Sequence, residues 1–143
     1  MKLTTVALAL AALATPISQN ALATVPTNLP AEQHQGTISF VAGGNSDNFQ
    51  AFERAAPDYP LALELLRHGA HRDAFLPGAR VSLRDAHGKE ILSTNLDGPF
   101  LLARVPAGRY LASVTYSGKT VKRSILVKHG DNHRVVLEWP DGV

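Results

Sequence analysis

The chain has 143 residues, a formal net charge of +2 and no cysteine; 45% of its residues are hydrophobic and 18% are charged. The lack of cysteine excludes disulfides, thiolate metal sites, cysteine nucleophiles and a lipid-attachment cysteine. The basic residues are spread along the chain in runs of no more than two, whereas nucleic-acid-binding proteins concentrate them on one face, with aromatic residues among them. We therefore expect no nucleic-acid partner.

The first 23 residues have the organisation of a secretory signal peptide. Lys2 gives a positive start, residues 6–14 form an uncharged apolar run, and a polar stretch then leads to an Ala-Leu-Ala sequence that ends at Ala23. This pattern predicts a signal peptide over residues 1–23, with cleavage after Ala23. No later segment has the roughly 20 apolar residues of a membrane-spanning helix. We expect a periplasmic or secreted protein without membrane insertion in its mature form.

The remaining chain is long enough for a single domain. Removal of 23 of the 143 residues leaves 120, with 13 basic and 12 acidic residues once Lys2 is lost. A chain of this length buries enough surface for a hydrophobic core. Residues 24–35 contain two prolines, no periodicity and mostly polar side chains, which predicts a flexible N-terminal arm. A single domain is predicted over residues 36–143.

One segment, NSDNFQAFERAAP, is predicted to be helical. Phe49 and Phe52 recur at helical spacing, and Pro57 ends the segment. Ser46 or Asp47 is predicted to cap its N-terminus. A helix of about three turns is marginal alone, so its two phenylalanines must pack on a sheet.

The rest of the domain is predicted to be β-structure. Residues 38–41 form a β-prone run, and residues 61–65 alternate leucine with other residues after Pro60. Leu and Glu also favour helix in the second of these segments, but its alternation and brevity favour a strand. From Pro77 onward, short apolar strands alternate with Gly-containing turns: GARVSLRD, EILSTN, FLLARV, RYLASVTY, TVKRSILVK and HRVVLEW. This spacing predicts a mainly β fold, an antiparallel sandwich of about seven strands with one short helix.

Residues 78–118 resemble the carboxypeptidase regulatory-like domain, which is a transthyretin-like (prealbumin-like) β-sandwich. The G-x-F motif followed by P-x-G-x-Y is the more specific part, because two turns and two core aromatic residues must coincide. The resemblance implies a prealbumin-like sandwich whose motif core spans residues 78–128. The matching positions are Gly78, Val81, Leu83, Asp85, Gly88, Thr94, Asp97, Gly98, Phe100, Pro106, Gly108, Tyr110 and Gly118.

The upstream segment FVAGGNSDNFQAFERAAPDYPLALELL, joined to that motif, is similar to small exported proteobacterial proteins of unknown function that carry the same domain. This second resemblance covers nearly all of the mature chain and implies a periplasmic setting. It brings no catalytic residues. The chain departs from the motif at Pro99, in the middle of G-x-F, and a proline there is expected at a sheet edge or at the first residue of a strand.

Five side chains are predicted to lie in the core. Phe100, Leu102, Val105 and Tyr110 follow the turns at the centre of the motif. Trp139 alternates with leucine and valine in the last strand, so we assign it to the core as well. Its position near the end of that strand leaves open the alternative that it marks a ligand face, as in carbohydrate-binding sandwiches.

Two histidine pairs are candidate metal ligands. His68 and His71 occur in HGAH, and His129 and His133 occur in HGDNH. Neutral imidazoles bind zinc and copper, and two pairs would supply four ligands. The two pairs lie in different loops, and exposed loop histidines without a metal are the commoner case. We predict no metal and no other cofactor, and we keep a histidine-based zinc or copper site as the alternative.

The sequence shows no catalytic constellation. It lacks a Gly-x-Ser-x-Gly elbow. It also lacks the C-terminal Tyr-Arg-Gly-Ser of the hydroxyisourate-cleaving enzymes that share the transthyretin-like fold, since it ends in LEWPDGV. Carboxylates occur at Glu53, Glu64, Asp85 and Asp97, and the two aspartates occupy turn positions where Asp bonds its own backbone. We predict that the protein is not an enzyme and has no catalytic residues.

A non-catalytic protein-binding or accessory module is the function that we predict. An incoming chain would bind to a sheet face or to an exposed edge strand, and the expected partner is a protein of the cell envelope. Four basic residues are predicted to point outward from the strands, where such residues usually keep edges soluble and block unwanted strand pairing: Arg80, Arg84, Lys122 and Lys128. A carbohydrate-binding module is a third hypothesis, and it ranks below the other two because few aromatic residues lie outside the core.

Overall fold

The structure is a computed structural model that describes residues 28–45, 47–67, 76 and 78–139. These residues form nine β-strands in two sheets, one α-helix, α1 (Phe49–Ala55), and one 3-10 helix (Ala56–Asp58). The predicted mainly β sandwich with one short helix is confirmed. The first sheet contains β1 (Gln33–Gln35), β2 (Ile38–Gly43), β3 (Leu61–Arg67), β6 (Phe100–Arg104) and β9 (His133–Trp139). The second sheet contains β4 (Ala79–Arg84), β5 (Glu90–Leu96), β7 (Gly108–Tyr116) and β8 (Lys119–Val127).

The strand order is β1-β2-β6-β3-β9 in the first sheet and β5-β4-β7-β8 in the second. Every pair of neighbouring strands among the described residues is antiparallel except β3 and β9, which are parallel. The predicted antiparallel sandwich is therefore wrong at this one pair. Turn residues in the sequence fix the direction of consecutive strands, whereas β3 and β9 are separated by five other strands and meet only in the folded protein.

Strand β1 lies within the segment that was predicted to be a flexible arm. It pairs with β2 from Gln33 opposite Phe40 to Gln35 opposite Ile38. The hairpin turns at Gly36, whose φ of +59° is in the left-handed region that favours glycine. The three residues QHQ have no strand pattern of their own, and the turn and β2 determine their conformation. The arm predicted over residues 24–35 therefore does not extend to Gln35.

The first sheet packs on both of its faces. Leu61, Leu63 and Leu65 of β3 point into the main core between the two sheets, and Ala62 points to the opposite face. On that opposite face, α1 covers a smaller apolar cluster. Burial on both faces explains why β3 is nearly all apolar. The fold is thus helix, first sheet and second sheet, and the outer face of the second sheet has no helix over it among the described residues.

The core residues predicted from the motif divide between these two layers. All four are buried, at 7% exposure or less. Phe100 and Leu102 belong to the cluster under α1, whereas Val105 and Tyr110 belong to the main core. Alternation along β6 sends its even-numbered side chains away from the second sheet. The sequence predicted burial correctly and gave no indication of the two separate layers.

Helix α1 is held by aromatic packing. The rings of Phe52 and Phe100 are stacked, with centroids 5.7 Å apart, and the Phe49 ring lies 5.3 Å from Phe100. The prediction that both phenylalanines pack on a sheet is confirmed. The predicted cap is wrong at Asp47, because the residue before the helix is Asn48 and its side chain makes no capping bond; Ser46 lies outside the described residues. No helix of the described ranges is long or apolar enough to cross a membrane.

The turn before β6 brings two backbone segments into direct contact. A Cβ atom added to Gly98 would lie 2.3 Å from both the carbonyl carbon and the carbonyl oxygen of Gly43, so only glycine fits there. Pro99 comes immediately before β6, and its carbonyl accepts a 2.8 Å bond from the N–H of Leu65. β6 lies in the interior of its sheet, so the proline occupies the start of a strand and not a sheet edge.

Candidate functional site at the open edge of the second sheet

The structure describes one of the two histidine pairs. His129 is exposed in the loop between β8 and β9, and His133 is the partly buried first residue of β9. His68 and His71 lie outside the described residues. Within the described part of the chain, no group of three or more histidine, aspartate or glutamate side chains is placed to hold a metal ion.

Arg134 of β9 joins α1 to the first sheet. Its Nη2 donates to Glu53 Oε1 of the helix at 2.8 Å and to Glu64 Oε2 of β3 at 2.6 Å. These bonds, first to Glu53 and then to Glu64, raise the pKa of the Arg134 guanidinium above its usual range. Glu64 is the buried charged residue of the described chain, at 7% exposure. The guanidinium compensates this carboxylate, so the cluster has a structural role.

A second ionic cluster attaches the N-terminal segment to the first sheet. The Tyr59 hydroxyl and the Arg104 Nε both donate to Glu32 Oε1, at 2.9 and 3.1 Å. The Arg104 guanidinium also lies 4.3 Å from the centroid of the Tyr59 ring. The hydroxyl bond and then the Arg104 bond lower the pKa of Glu32. Burial, followed by the bond to Glu32, raises the pKa of Tyr59.

Asp85 has the turn role that was predicted for it. Its Oδ1 accepts from the backbone N–H groups of His87 and Lys89, at 2.9 and 3.0 Å, in the turn between β4 and β5. Gly88 completes this turn with a φ of +76°. The carboxylates of Asp85, Glu32, Glu53 and Glu64 are therefore all engaged in holding the fold together.

Trp139 is buried, at 3% exposure, and its ring meets the Tyr116 ring edge-on at 6.0 Å. Its assignment to the core is confirmed. The large hydrophobic side chains that are exposed among the described residues are Leu126 and Val136, neither of which is aromatic. The aromatic groove that a carbohydrate-binding sandwich would use is not formed by the described residues.

Strand β8 lies at an edge of the second sheet and pairs only with β7 among the described strands. Tyr116 pairs with Lys119 across a two-residue turn in which Ser117 and Gly118 have φ angles of 51° and 78°, as in a type I′ turn. The two residues that flank such a turn exchange backbone hydrogen bonds, and bonded and non-bonded pairs then alternate. The residues of β8 whose N–H and C=O point to the open edge are Thr120, Lys122, Ser124 and Leu126.

The other edge of the second sheet, β5, is occupied at Ser93 by a side chain. The Gln35 amide donates from Nε2 to the carbonyl of Ser93 at 2.7 Å, and its Oε1 accepts from the Ser93 N–H at 2.8 Å. The amide thus forms the two bonds that a neighbouring strand would form with Ser93. The alternation of bonded and non-bonded pairs, followed from the β7–β8 turn through β7 and β4 to β5, places the N–H and C=O of Ser93 on the outer side of β5. The two bonds to Gln35 agree with this assignment. A cavity of about 540 Å³ lies beside this contact.

The charges of the two sheets are arranged differently. On the first sheet, Arg104 and Arg134 are paired with glutamates. On β8, the basic side chains of Lys119, Lys122 and Arg123 form no ion pair with any described residue, and the strand contains no carboxylate. The prediction that Lys122 points outward is confirmed, because it is exposed.

No protein-family model and no curated protein sequence matches this chain. Solved structures that resemble it include 5-hydroxyisourate hydrolase of Klebsiella pneumoniae, at 14% identity and a TM-score of 0.45, covering 58% of this chain and 90% of the hydrolase. The TIE protein of Bacillus anthracis matches at 18% identity and a TM-score of 0.41, over 56% of this chain and 16% of that protein. The major pilin subunit BcpA of Bacillus cereus matches at 21% identity and a TM-score of 0.39, over 56% of this chain and 27% of the pilin. These matches assign no family.

Proposed function

We propose that this protein is a non-catalytic, exported partner-binding module, and that an extended segment of a cell-envelope protein adds to β8 as a further strand. In strand addition, main-chain hydrogen bonds supply the affinity and the neighbouring side chains supply the specificity. The observation that carries the proposal is the open nine-residue edge of β8. The signal peptide predicted over residues 1–23 and the resemblance of residues 78–118 to a regulatory-like domain support export and an accessory role.

The use of the ionisable groups supports a binding function over catalysis. Arg134 with Glu53 and Glu64, and Arg104 with Glu32, join secondary-structure elements to each other. An acid–base pair in a hydrolase needs two carboxylates that face a substrate cleft. Glu53 and Glu64 instead share one guanidinium between α1 and β3. Their arrangement stabilises the fold and leaves neither of them directed at a ligand.

A proline at Ser124 tests the proposal. The Ser124 N–H points to the open edge, so Ser124→Pro removes a donor for an added strand without removing a bond to β7. The purified protein is cross-linked in envelope extract, and the captured partner is quantified. We expect Ser124→Pro to abolish capture and Ser124→Ala, which keeps the N–H, to retain it.

Asn95→Pro provides a matched control on the other edge of the same sheet. The Asn95 N–H also points outward by the same alternation, but on this edge the Gln35 amide already occupies the backbone groups of Ser93, the neighbouring outward-facing residue. We expect Asn95→Pro to capture the partner as well as the parent protein does. All three variants should unfold within about 1 kcal/mol of the parent. Equal capture by Ser124→Pro and the parent would exclude strand addition at β8.

A further inference from the structure

We infer that the strand received by β8 is acidic, with two consecutive carboxylates opposite Lys122 and Arg123; this inference rests on the proposed function. The charge of the receiving surface is its basis. Residues 108–127, which form β7, β8 and the turn between them, include four basic residues and no Asp or Glu. Lys122 and Arg123 are both exposed, and neither forms an ion pair with a described residue.

Lys122 and Arg123 are consecutive residues of β8, so their charges lie next to each other along the open edge. Successive side chains of a strand point to opposite faces, so Lys122 lies on the outer face of the second sheet and Arg123 on the inner side. A strand that adds along β8 presents two consecutive residues to these two cations. Opposite-charge pairs directly across two strands are stabilising, and like-charge pairs are destabilising. Two adjacent carboxylates therefore complement this position.

The flanking residues define the rest of the recognised segment. Ile125 is buried and Val121 is partly buried on the inner side, whereas Leu126 is 45% exposed on the outer face. Apolar side chains opposite these three residues would extend the main core and cover Leu126. The preferred segment is thus an acidic pair flanked on both sides by β-branched or other apolar residues.

Two other occupants of the edge fit less well. Antiparallel pairing of β8 with β8 of a second copy would bring two sets of three basic side chains together without a carboxylate between them, which is unfavourable. Single-stranded nucleic acids bind through aromatic stacking platforms, whereas the exposed large hydrophobic residues of the described chain are Leu126 and Val136. The same cations that discourage self-association therefore select an acidic polypeptide.

Binding of short labelled peptides to the purified protein tests the inference. The probe is Val-Val-Thr-Glu-Glu-Val-Thr, written to lie antiparallel with its two glutamates opposite Arg123 and Lys122. The control probe has glutamine at both glutamate positions. Fluorescence anisotropy at low salt should show about tenfold tighter binding of the glutamate peptide than of the glutamine peptide. The difference should shrink in about 0.5 M salt, where exposed charges are screened.

Protein variants then locate the contact. The double variant Lys122→Glu and Arg123→Glu should lose this preference and favour a probe with lysine at the two central positions. Ser124→Pro should lose both peptides. Binding of the glutamate peptide that is unchanged by Ser124→Pro would overturn the inference, because the peptide would then bind by charge without joining the sheet.

The failure of this inference can be distinguished from the failure of the proposed function. Equal binding of the glutamate and glutamine probes, lost in both cases with Ser124→Pro, would overturn the acidic partner and leave strand addition intact. The acidic partner would also be overturned if neither probe bound while capture from envelope extract still depended on Ser124. Loss of the dependence on Ser124 in both assays would overturn the two proposals together.

Discussion

A methyl group at Gly98 should be much more destabilising than the same methyl group at Gly118. At Gly98 the added Cβ would lie 2.3 Å from the carbonyl carbon and oxygen of Gly43 and 2.8 Å from the Asn45 nitrogen. All three are backbone atoms, so the two segments must move apart by about 1 Å to reach ordinary contact distance. That movement strains the pairing of Gly43 with Phe100, which ends the β2–β6 ladder. Overpacking and one lost hydrogen bond together cost about 2–4 kcal/mol.

Gly118→Ala is the control that separates crowding from backbone strain. No atom lies within 4 Å of a Cβ at Gly118, but its φ of +78° is unfavourable for alanine, at a cost of about 1–2 kcal/mol. Urea denaturation followed by circular dichroism gives both free energies of unfolding. The melting temperature should fall by about 8–16 °C for Gly98→Ala and by about 4–8 °C for Gly118→Ala. Equal destabilisation of the two variants, or a neutral Gly98→Ala, would refute the close approach of Gly98 to Gly43.

Three further predictions concern the charged groups. Arg134→Gln should lower the free energy of unfolding, measured by urea denaturation, by about 1–2 kcal/mol, because it leaves the buried Glu64 carboxylate uncompensated. The loss is moderate because the guanidinium is partly exposed to solvent. The change should be smaller when Glu64→Gln is already present. The folded-state pKa of Glu32 lies below its ordinary 4.5, so its stabilising contribution is complete above the unfolded value and is lost as pH falls through the folded one. Glu32→Gln should therefore flatten the decline of stability from pH 4.5 downward, and an unchanged pH profile would contradict the bond from Tyr59. Isothermal titration with zinc and copper should give no binding heat, and a stoichiometric signal lost on replacing the histidine pairs would establish the metal-site alternative.

Local patterns account for the part of the fold that the sequence predicted. The strands from β4 to β8 follow one another through short turns, and the turns at Gly88 and Gly118 fix both the reversal and the register. Alternation then places Val81, Leu83 and Tyr110 in the main core. Each of these features depends on residues within a few positions of each other, which is why the sequence alone indicates them.

The features that the sequence did not indicate depend on residues far apart in the chain. The parallel pairing of β3 with β9 joins Leu61 to His133, and the contact of Gln35 with Ser93 joins residues 58 positions apart. No local pattern specifies either one. Glu64 was a detectable signal, because a carboxylate within an apolar strand requires a partner when it is buried. The identity of that partner, Arg134, follows only from the position of β9 beside β3.

The openness of β8 also could not be inferred from its own residues. Lys119, Lys122 and Arg123 are equally compatible with a strand whose cations only keep the edge soluble. The proposed binding role is supported instead by the ion pairs of Arg104 and Arg134 on the first sheet and by the contact of Gln35 with Ser93 on β5. Both are properties of the assembled sandwich.

The amide of Gln35 has a consequence for polymerisation. A sheet that is open at both edges can accept one copy at each side, and such head-to-tail contacts continue into filaments because nothing closes the series. Here Ser93 already has its bonding partner within the same molecule. If a strand adds to β8 as proposed, the Gln35 amide prevents a second strand from bonding to Ser93 on the opposite edge of the same sheet.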